Sequence, residues 1–206
     1  MKALSQSFYM KDGITLAKDL LGQVIVREEA GKSYYFKIVE TEAYMGAEDK
    51  GAHVYGNKKT KRTAPLFEIG GTTYIYLIYG MYYCLNISAN ETGIPHCVLI
   101  RAVEPMDDEA INYAKQNRSI RSKKLVDLTN GPGKLCKALK IDKSLNDHLV
   151  TNKGALWIGE GQRQQQSQIV EAKRINIPYA EEYQDMLWRF YIKDNPFVSV
   201  INKSKA

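Results

Sequence analysis

The sequence predicts one mixed α/β (α+β) domain over residues 1–206, with more strands than helices and a hairpin that stands out from the body. Three observations predict it. The chain has 206 residues, 44% hydrophobic and 25% charged, enough for one sizeable core, with no composition break to mark a second domain. Alternation with period two fills residues 23–27 and 33–44, and a Tyr- and Ile-rich run spans 71–104. Helical spacing with end signals occurs at 14–21, after Asp107 and after Gly131.

The first helix reads Ile-Thr-Leu-Ala-Lys-Asp-Leu-Leu and stops at Gly22. A strand over 23–27 and a polar turn over 28–32 return the chain into a strand over 33–44. There the period of two sets Glu40, Glu42 and Tyr44 on one face and Val39, Thr41 and Ala43 on the other. The acidic face fits either a solvated strand or a pair of carboxylates meant for chemistry. The strand runs into a loop carrying His53, one of three histidines, and a lone loop histidine is commonly a surface residue. Residues 56–70 form a connector with Lys58, Lys59, Lys61 and Arg62. That cluster suits a solvated loop or a set of phosphate contacts.

Two runs of the 71–104 stretch meet at Tyr79-Gly80-Met81, and a third strand is expected to end at Arg101. Hairpin tips ordinarily shed large apolar groups, whereas this one keeps Tyr79 and Met81. Either the tip packs beneath another element or, on a chain of net charge +6, it wedges between stacked bases. Pro105 breaks the run, and Asp107-Asp108-Glu109 opens a helix through 116, its acids suiting the positive end of the helix dipole. A second basic patch fills 118–124. Asn130-Gly131-Pro132 then leads into a helix whose free N–H groups, with Lys134, would make an anion site. Strands are expected over 155–159 and 169–177 around a Gln-rich turn, a closing amphipathic segment over 181–191, and a last strand over 196–201.

Several function classes fall away. Cys84, Cys97 and Cys136 show no C-x-x-C spacing and read as reduced thiols, two of them in strands as small core groups. No apolar run approaches the roughly 20 residues that span a bilayer, and the first residues lack a secretory pattern. An intracellular, cytoplasmic protein without a membrane partner is expected. There is no metal-ligand spacing, P-loop, dinucleotide fingerprint, zinc-deaminase signature or Gly-x-Ser-x-Gly elbow, so neither metal nor cofactor is expected. What remains is carboxylate chemistry, with Glu42 as general base, Tyr44, Tyr76 and His53 gripping a flat ring, and Arg101 as an orienting charge.

The motifs Val39-Glu-Thr-Glu-Ala-Tyr-Met-Gly-Ala-Glu-Asp49, His53, Gly71-Thr-Thr-Tyr-Ile-Tyr-Leu-Ile-Tyr-Gly-Met-Tyr-Tyr-Cys-Leu-Asn-Ile-Ser88, Val98-Leu-Ile-Arg-Ala-Val-Glu-Pro105 and Leu128-Thr-Asn-Gly-Pro-Gly-Lys-Leu-Cys136 occur in this order. Together they closely resemble the alkyladenine (3-methyladenine, N-methylpurine) DNA glycosylase family, of mammalian type and with bacterial members. The resemblance covers nearly the whole chain. It implies a curved antiparallel sheet with flanking helices and a protruding hairpin. It also implies a monofunctional enzyme that flips a damaged purine from double-stranded DNA and hydrolyses its N-glycosidic bond, leaving an abasic site.

Carried over by motif, Glu42 would activate the water, held also by Arg101 and the Ile175 carbonyl. Tyr44, His53 and Tyr76 would sandwich the base, Asn86 would crowd the minor-groove edge of a purine, and Tyr79 with Met81 would fill the gap in the duplex. Lys58, Lys59, Arg62 and Lys134 are the expected phosphate contacts, in a monomer that in a bacterium works beside the nucleoid. The connector after His53 is richer in lysine than is usual in the family, which keeps charge but loses the bidentate geometry of arginine. Two other readings remain. A non-catalytic damaged-DNA-binding module needs the wedge but not Glu42. A metal-dependent nuclease would be built on Glu40, Glu42 and Glu48.

Overall fold

A computed structural model describes residues 1–201. Its sheet is arranged around one long strand. β1 (Val24–Glu29) and β2 (Lys32–Tyr44) form a hairpin, and β2 pairs on its other edge with β5 (His96–Pro105). β3 (Thr73–Ile78) and β4 (Tyr82–Ala89) extend the sheet beyond β5, and β6 (Leu156–Gly159) extends it beyond β1. The strand order is therefore β3-β4-β5-β2-β1-β6, with antiparallel neighbours throughout. β2 outlasts β1, and the edge so freed at residues 40–42 takes β8 (Arg189–Ile192), which in turn pairs with β7 (Ile169–Ala172). One strand thus serves two successive partners on one edge, and the sheet curls. The mixed α/β single domain with a curled antiparallel sheet agrees with the sequence expectation.

Among the described residues three α-helices flank it: α1 (Gly13–Leu20), α2 (Asp108–Asn117) and α3 (Pro132–Ala138). The Asp12 carboxylate accepts from the N–H groups of Ile14 and Thr15 at 2.9 and 3.0 Å, a cap that contributes about 1 kcal/mol. Asp107 caps α2 in the same way through Ala110. The apolar stripe of α1, Leu16, Ala17 and Leu20, is fully buried in a core with Ile75, Leu85, Ile87, Val98, Ile100 and Ala43 from the sheet. Thr41 anchors the contact by donating its hydroxyl proton to the Ala17 carbonyl at 2.9 Å. One face of β2–β5 is thereby closed under the helices. The other face is left for the residues of alternate register.

Four boundaries differ from expectation. β5 does not end at Arg101 but runs to Pro105, which sits opposite Phe36 at the strand end, where a missing N–H costs least. The strand expected over 169–177 stops at Ala172, because the next carbonyl, of Lys173, accepts from Arg189 Nε (2.8 Å) and Arg174 turns inward. The segment 181–191 is not one amphipathic element: Glu181 takes φ 48°, so 3-10 turns over Pro178–Asp185 give way to β8. Residues 196–201 form no strand, since backbone groups of Ser199 and Val200 are taken by buried side chains of β2 and β8. Among the described residues no helix is long and apolar enough to cross a membrane. The three cysteines are free and buried.

Candidate active site

The face of the sheet turned away from α1 is built by register. Tyr74 pairs with Asn86 and Tyr76 with Cys84, Asn86 pairs with Leu99, and Leu99 with Glu42. Directly paired residues project to the same side of a sheet. Tyrosines, Asn86, Glu42 and Tyr44 therefore share one concave surface. A double irregularity in the β2–β5 ladder leaves Val39 and Arg101 without opposite numbers. Such bulges re-aim a side chain, and here the Arg101 guanidinium turns back over both Glu40 and Glu42.

Glu42 is fully buried. Its Oε1 accepts from the Ile175 backbone N–H at 2.7 Å and faces Arg101 Nη1 at 3.2 Å, while Oε2 accepts from the Tyr44 hydroxyl at 3.0 Å. Burial alone would lower the Arg101 pKa; the carboxylates of Glu42 and Glu40 outweigh it and hold the guanidinium above its ordinary value. Burial, reinforced by Glu42, pushes the Tyr44 phenol well up, so it stays a proton donor.

Glu42 and Arg101 lie in the wall of a cleft of about 510 Å³ with Tyr44, His53, Tyr76, Tyr79, Ile175 and Tyr179 among its other lining residues. The volume suits a small flat ligand. A narrower recess of about 30 Å³ adjoins it, sharing Tyr44, His53, Tyr76 and Tyr179 and adding Asn86 and Tyr74. His53 and Tyr76 meet edge to face, with ring centroids 4.7 Å apart, and His53 Nδ1 is 3.0 Å from the Tyr74 hydroxyl. Although the His53 ring is solvent-accessible, the close walls and then the Arg62 charge bring its pKa down to about 4, so it is neutral at physiological pH. Burial raises the Tyr74 phenol to about 12 and takes Tyr76 higher still. Asn86 is buried and donates its amide to the Tyr74 carbonyl at 3.1 Å, which fixes the side chain.

The hairpin tip is exposed, Tyr79 at 76% and Met81 at 66%, so it does not pack beneath another element. Its turn places both Tyr79 and Gly80 in the left-handed region, φ 52° and 67°, the twist that matches a tight hairpin. Of the expected phosphate contacts, Lys58 and Lys59 are exposed, Lys59 lying over the Phe67 ring. Arg62 is exposed too, but its guanidinium sits 5.3 Å from the centre of Tyr76, on the wall of the cleft. Lys134 bonds to Asn130 at 2.7 Å, beside Asp127. Glu48, the third acid of the nuclease reading, is exposed, while Glu40 and Glu42 are committed to arginines. Among the described residues no group of three His, Cys, Asp or Glu is arranged to hold a metal ion.

Sequence reasoning missed two arginines. Arg174 is buried, gripped by Asp49 through two bonds of 2.6 and 2.8 Å, bonded to the Ala43 carbonyl, and 4.7 Å from the centre of Tyr44. Gly51 leaves room for this pair: a Cβ there would lie 2.9 Å from Arg174 Nη2. Arg189, fully buried, bonds Glu40 and the Val200 carbonyl. Tyr179, at the mouth of the cleft, was also missed. Arginine is ordinarily a surface residue, so one sequence offers no sign of its burial.

A family model described as methylpurine-DNA glycosylase matches residues 7–196. A relative from Natranaerobius thermophilus is 47% identical over 197 residues, which cover 96% of this chain and 98% of the relative. One from Clostridioides difficile is 50% identical over 203 residues (92% and 100%), and one from Clostridium tetani 48% over 200 residues (95% and 98%). All three are provisionally named 3-methyladenine DNA glycosylase. Fold and matches together make this a DNA glycosylase of base excision repair, with DNA as its substrate. The chain belongs to the methylpurine-DNA glycosylase family.

Proposed function

We propose that the enzyme extrudes an alkylated or deaminated purine of the 3-methyladenine type from duplex DNA and hydrolyses its N-glycosidic bond with a water activated by Glu42. The observation that carries this reading is the Glu42 carboxylate, buried in a tyrosine-lined cleft yet only partly saturated. A carboxylate offers about four acceptor sites. Ile175, Arg101 and Tyr44 take three, leaving one on Oε2 for a water. Arg101 and the Ile175 carbonyl complete the hold on that water, and Arg101 also stabilises the carboxylate form that must take its proton. A binding-only module has no use for this group.

The base slot supports the same reading. Tyr44, His53 and Tyr76 form the walls for the everted ring. Their electron-rich faces attract a cationic alkylpurine by about 0.5–2 kcal/mol, and neutral His53 adds no repulsion. Extrusion costs a few kcal/mol of stacking, least for a damaged pair. Tyr79 and Met81 enter the space the base leaves, with Lys58, Lys59, Arg62 and Lys134 near the backbone as a monomer grips duplex DNA. Asn86, held by Tyr74, crowds the exocyclic amine of guanine. The product is an abasic site, formed by a single domain without a lyase step or metal. Hypoxanthine and ethenoadenine fall within the same slot chemistry.

The test is base release under single-turnover conditions in excess EDTA from methylated, deaminated and etheno-bearing duplexes. Glu42→Gln is expected to keep lesion affinity and lose at least about 100-fold in rate, the range for a general base. Near wild-type turnover by that variant would refute the assignment.

A further inference from the structure

Glu40 takes no part in the chemistry just described, yet it is fully buried and makes three polar contacts. Its Oε1 accepts from Arg101 Nε at 3.1 Å and from Arg189 Nη1 at 3.0 Å, and its Oε2 accepts from the Ser199 N–H at 2.7 Å. Ser199 Oγ also lies 3.4 Å from Arg101 Nη2. Arg189 donates in addition to the Val200 carbonyl and to the Lys173 carbonyl, each at 2.8 Å. Lys173 is two residues before Ile175, whose N–H holds Glu42. Two of the three groups that hold the Glu42 carboxylate, one from β5 and one from the connector after β7, are therefore tied from behind to Glu40, Arg189 and residues 199–200.

We propose that Glu40, Arg189 and the 196–201 segment form a brace that positions Arg101 and Ile175 around Glu42. Glu40 is a positioning residue, acting through Arg101; the inference rests on the reading of Glu42 as the base. Burying ions this deeply costs several kcal/mol per ion, and an apolar replacement of matching volume is often at least as stable. Stability alone therefore gives no reason for an acid at position 40. A guanidinium shared between two carboxylates does, because its Nε is committed to one while its Nη1 is aimed at the other. The brace also explains why 196–201 adds no strand to the sheet: its polar backbone is spent on Glu40 and Arg189.

The test is Glu40→Gln, assayed for free-base release from N-methylpurine-bearing duplex DNA, with thermal melting as a check on folding. The single-turnover rate constant is expected to fall about 10- to 100-fold through misplacement, with lesion affinity unchanged. Simple destabilisation would instead lower the amplitude of the release, through a smaller folded fraction, and leave the rate constant in place.

If Glu40→Gln does not fold, Ser199→Pro, which deletes the N–H donor to Glu40 and the hydroxyl beside Arg101 but no charge, is expected to show the same loss of rate at constant affinity. A folded Glu40→Gln with wild-type rate, or in its place a Ser199→Pro with wild-type rate, overturns the brace. Active wild type with dead Glu42→Gln would then leave the general-base reading intact. No release by wild type removes both.

Discussion

Ile175 and Glu42 stand 133 residues apart in the chain, and the backbone N–H of the first donates a 2.7 Å hydrogen bond to the carboxylate of the second. The bond belongs to a peptide group, so its geometry depends on how the connector over 173–177 is held. Two arginines hold it: Arg174, clamped to Asp49 and the Ala43 carbonyl, and Arg189, bonded to the Lys173 carbonyl. Tertiary contacts between remote strands thus set the chemistry of one acid.

Arg174→Leu leaves Asp49 buried without its partner. Breaking a buried pair from one side costs about 3–5 kcal/mol, so urea denaturation is expected to show a large drop in midpoint at unchanged slope. Pairing the change with Asp49→Asn should restore most of the loss. Equal midpoints for Arg174→Leu and wild type would show that the clamp holds nothing.

His53 has a pKa of about 4 in the folded protein against an ordinary 6.5. Between those values the unfolded chain carries a proton that the folded chain refuses. The contribution of His53 to stability is therefore full above pH 6.5 and lost as pH falls towards 4. Ring-proton NMR is expected to give a His53 midpoint near 4. A midpoint near 6.5 would mean that the walls of the slot do not disfavour the charged imidazole.

Tyr79 occupies a left-handed position, φ 52°, that Asn or Gly fills at less cost. Tyr79→Asn is expected to raise stability by roughly 1 kcal/mol, the order of the strain released. The same change should weaken binding to damaged duplex by about 10-fold, because the side chain proposed to replace the everted base is gone. A more stable variant with undiminished affinity would separate the tip from DNA entirely.

Asn86→Ser removes bulk from the recess and the amide that bonds the Tyr74 carbonyl, while keeping a small polar group there. Release of guanine from mismatched duplexes is expected to rise above the wild-type background, with little change on N-methylated adenine. Unchanged guanine release would put selectivity outside the recess.

Much of this arrangement was legible in the chain because it obeys period two. Glu42 and Tyr44 share a face by spacing alone, and Tyr79-Gly80-Met81 announced a tip that kept its bulky groups. What alternation could not reveal was where the acids pointed. The face that looked wet is closed by Arg101, which the sequence did place at the site, and by Arg174 and Arg189, charged residues of a type that a single sequence assigns to the surface. Residues 181–191 and 196–201 were misjudged for a related reason. β8 carries Arg189 where a core strand normally carries an apolar group, and the alternating run Phe197-Val-Ser-Val-Ile201 gives backbone groups of Ser199 and Val200 to the buried side chains of Glu40 and Arg189. The resemblance to known glycosylases, by contrast, rested on motif order and needed none of these contacts.

Three carboxylates, Glu40, Glu42 and Asp49, are buried around the site with three guanidiniums, Arg101, Arg174 and Arg189, so their formal charges cancel. Mobile salt ions cannot enter that cluster, whereas Lys58, Lys59 and Arg62 on the surface sit within reach of a screening atmosphere about 8 Å thick at physiological ionic strength. On the proposed roles of these residues, ionic strength becomes a dial on capture alone: it sets how often duplex is found and how long it is searched, and leaves the speed of bond cleavage, once a lesion is seated, where the neutral interior put it.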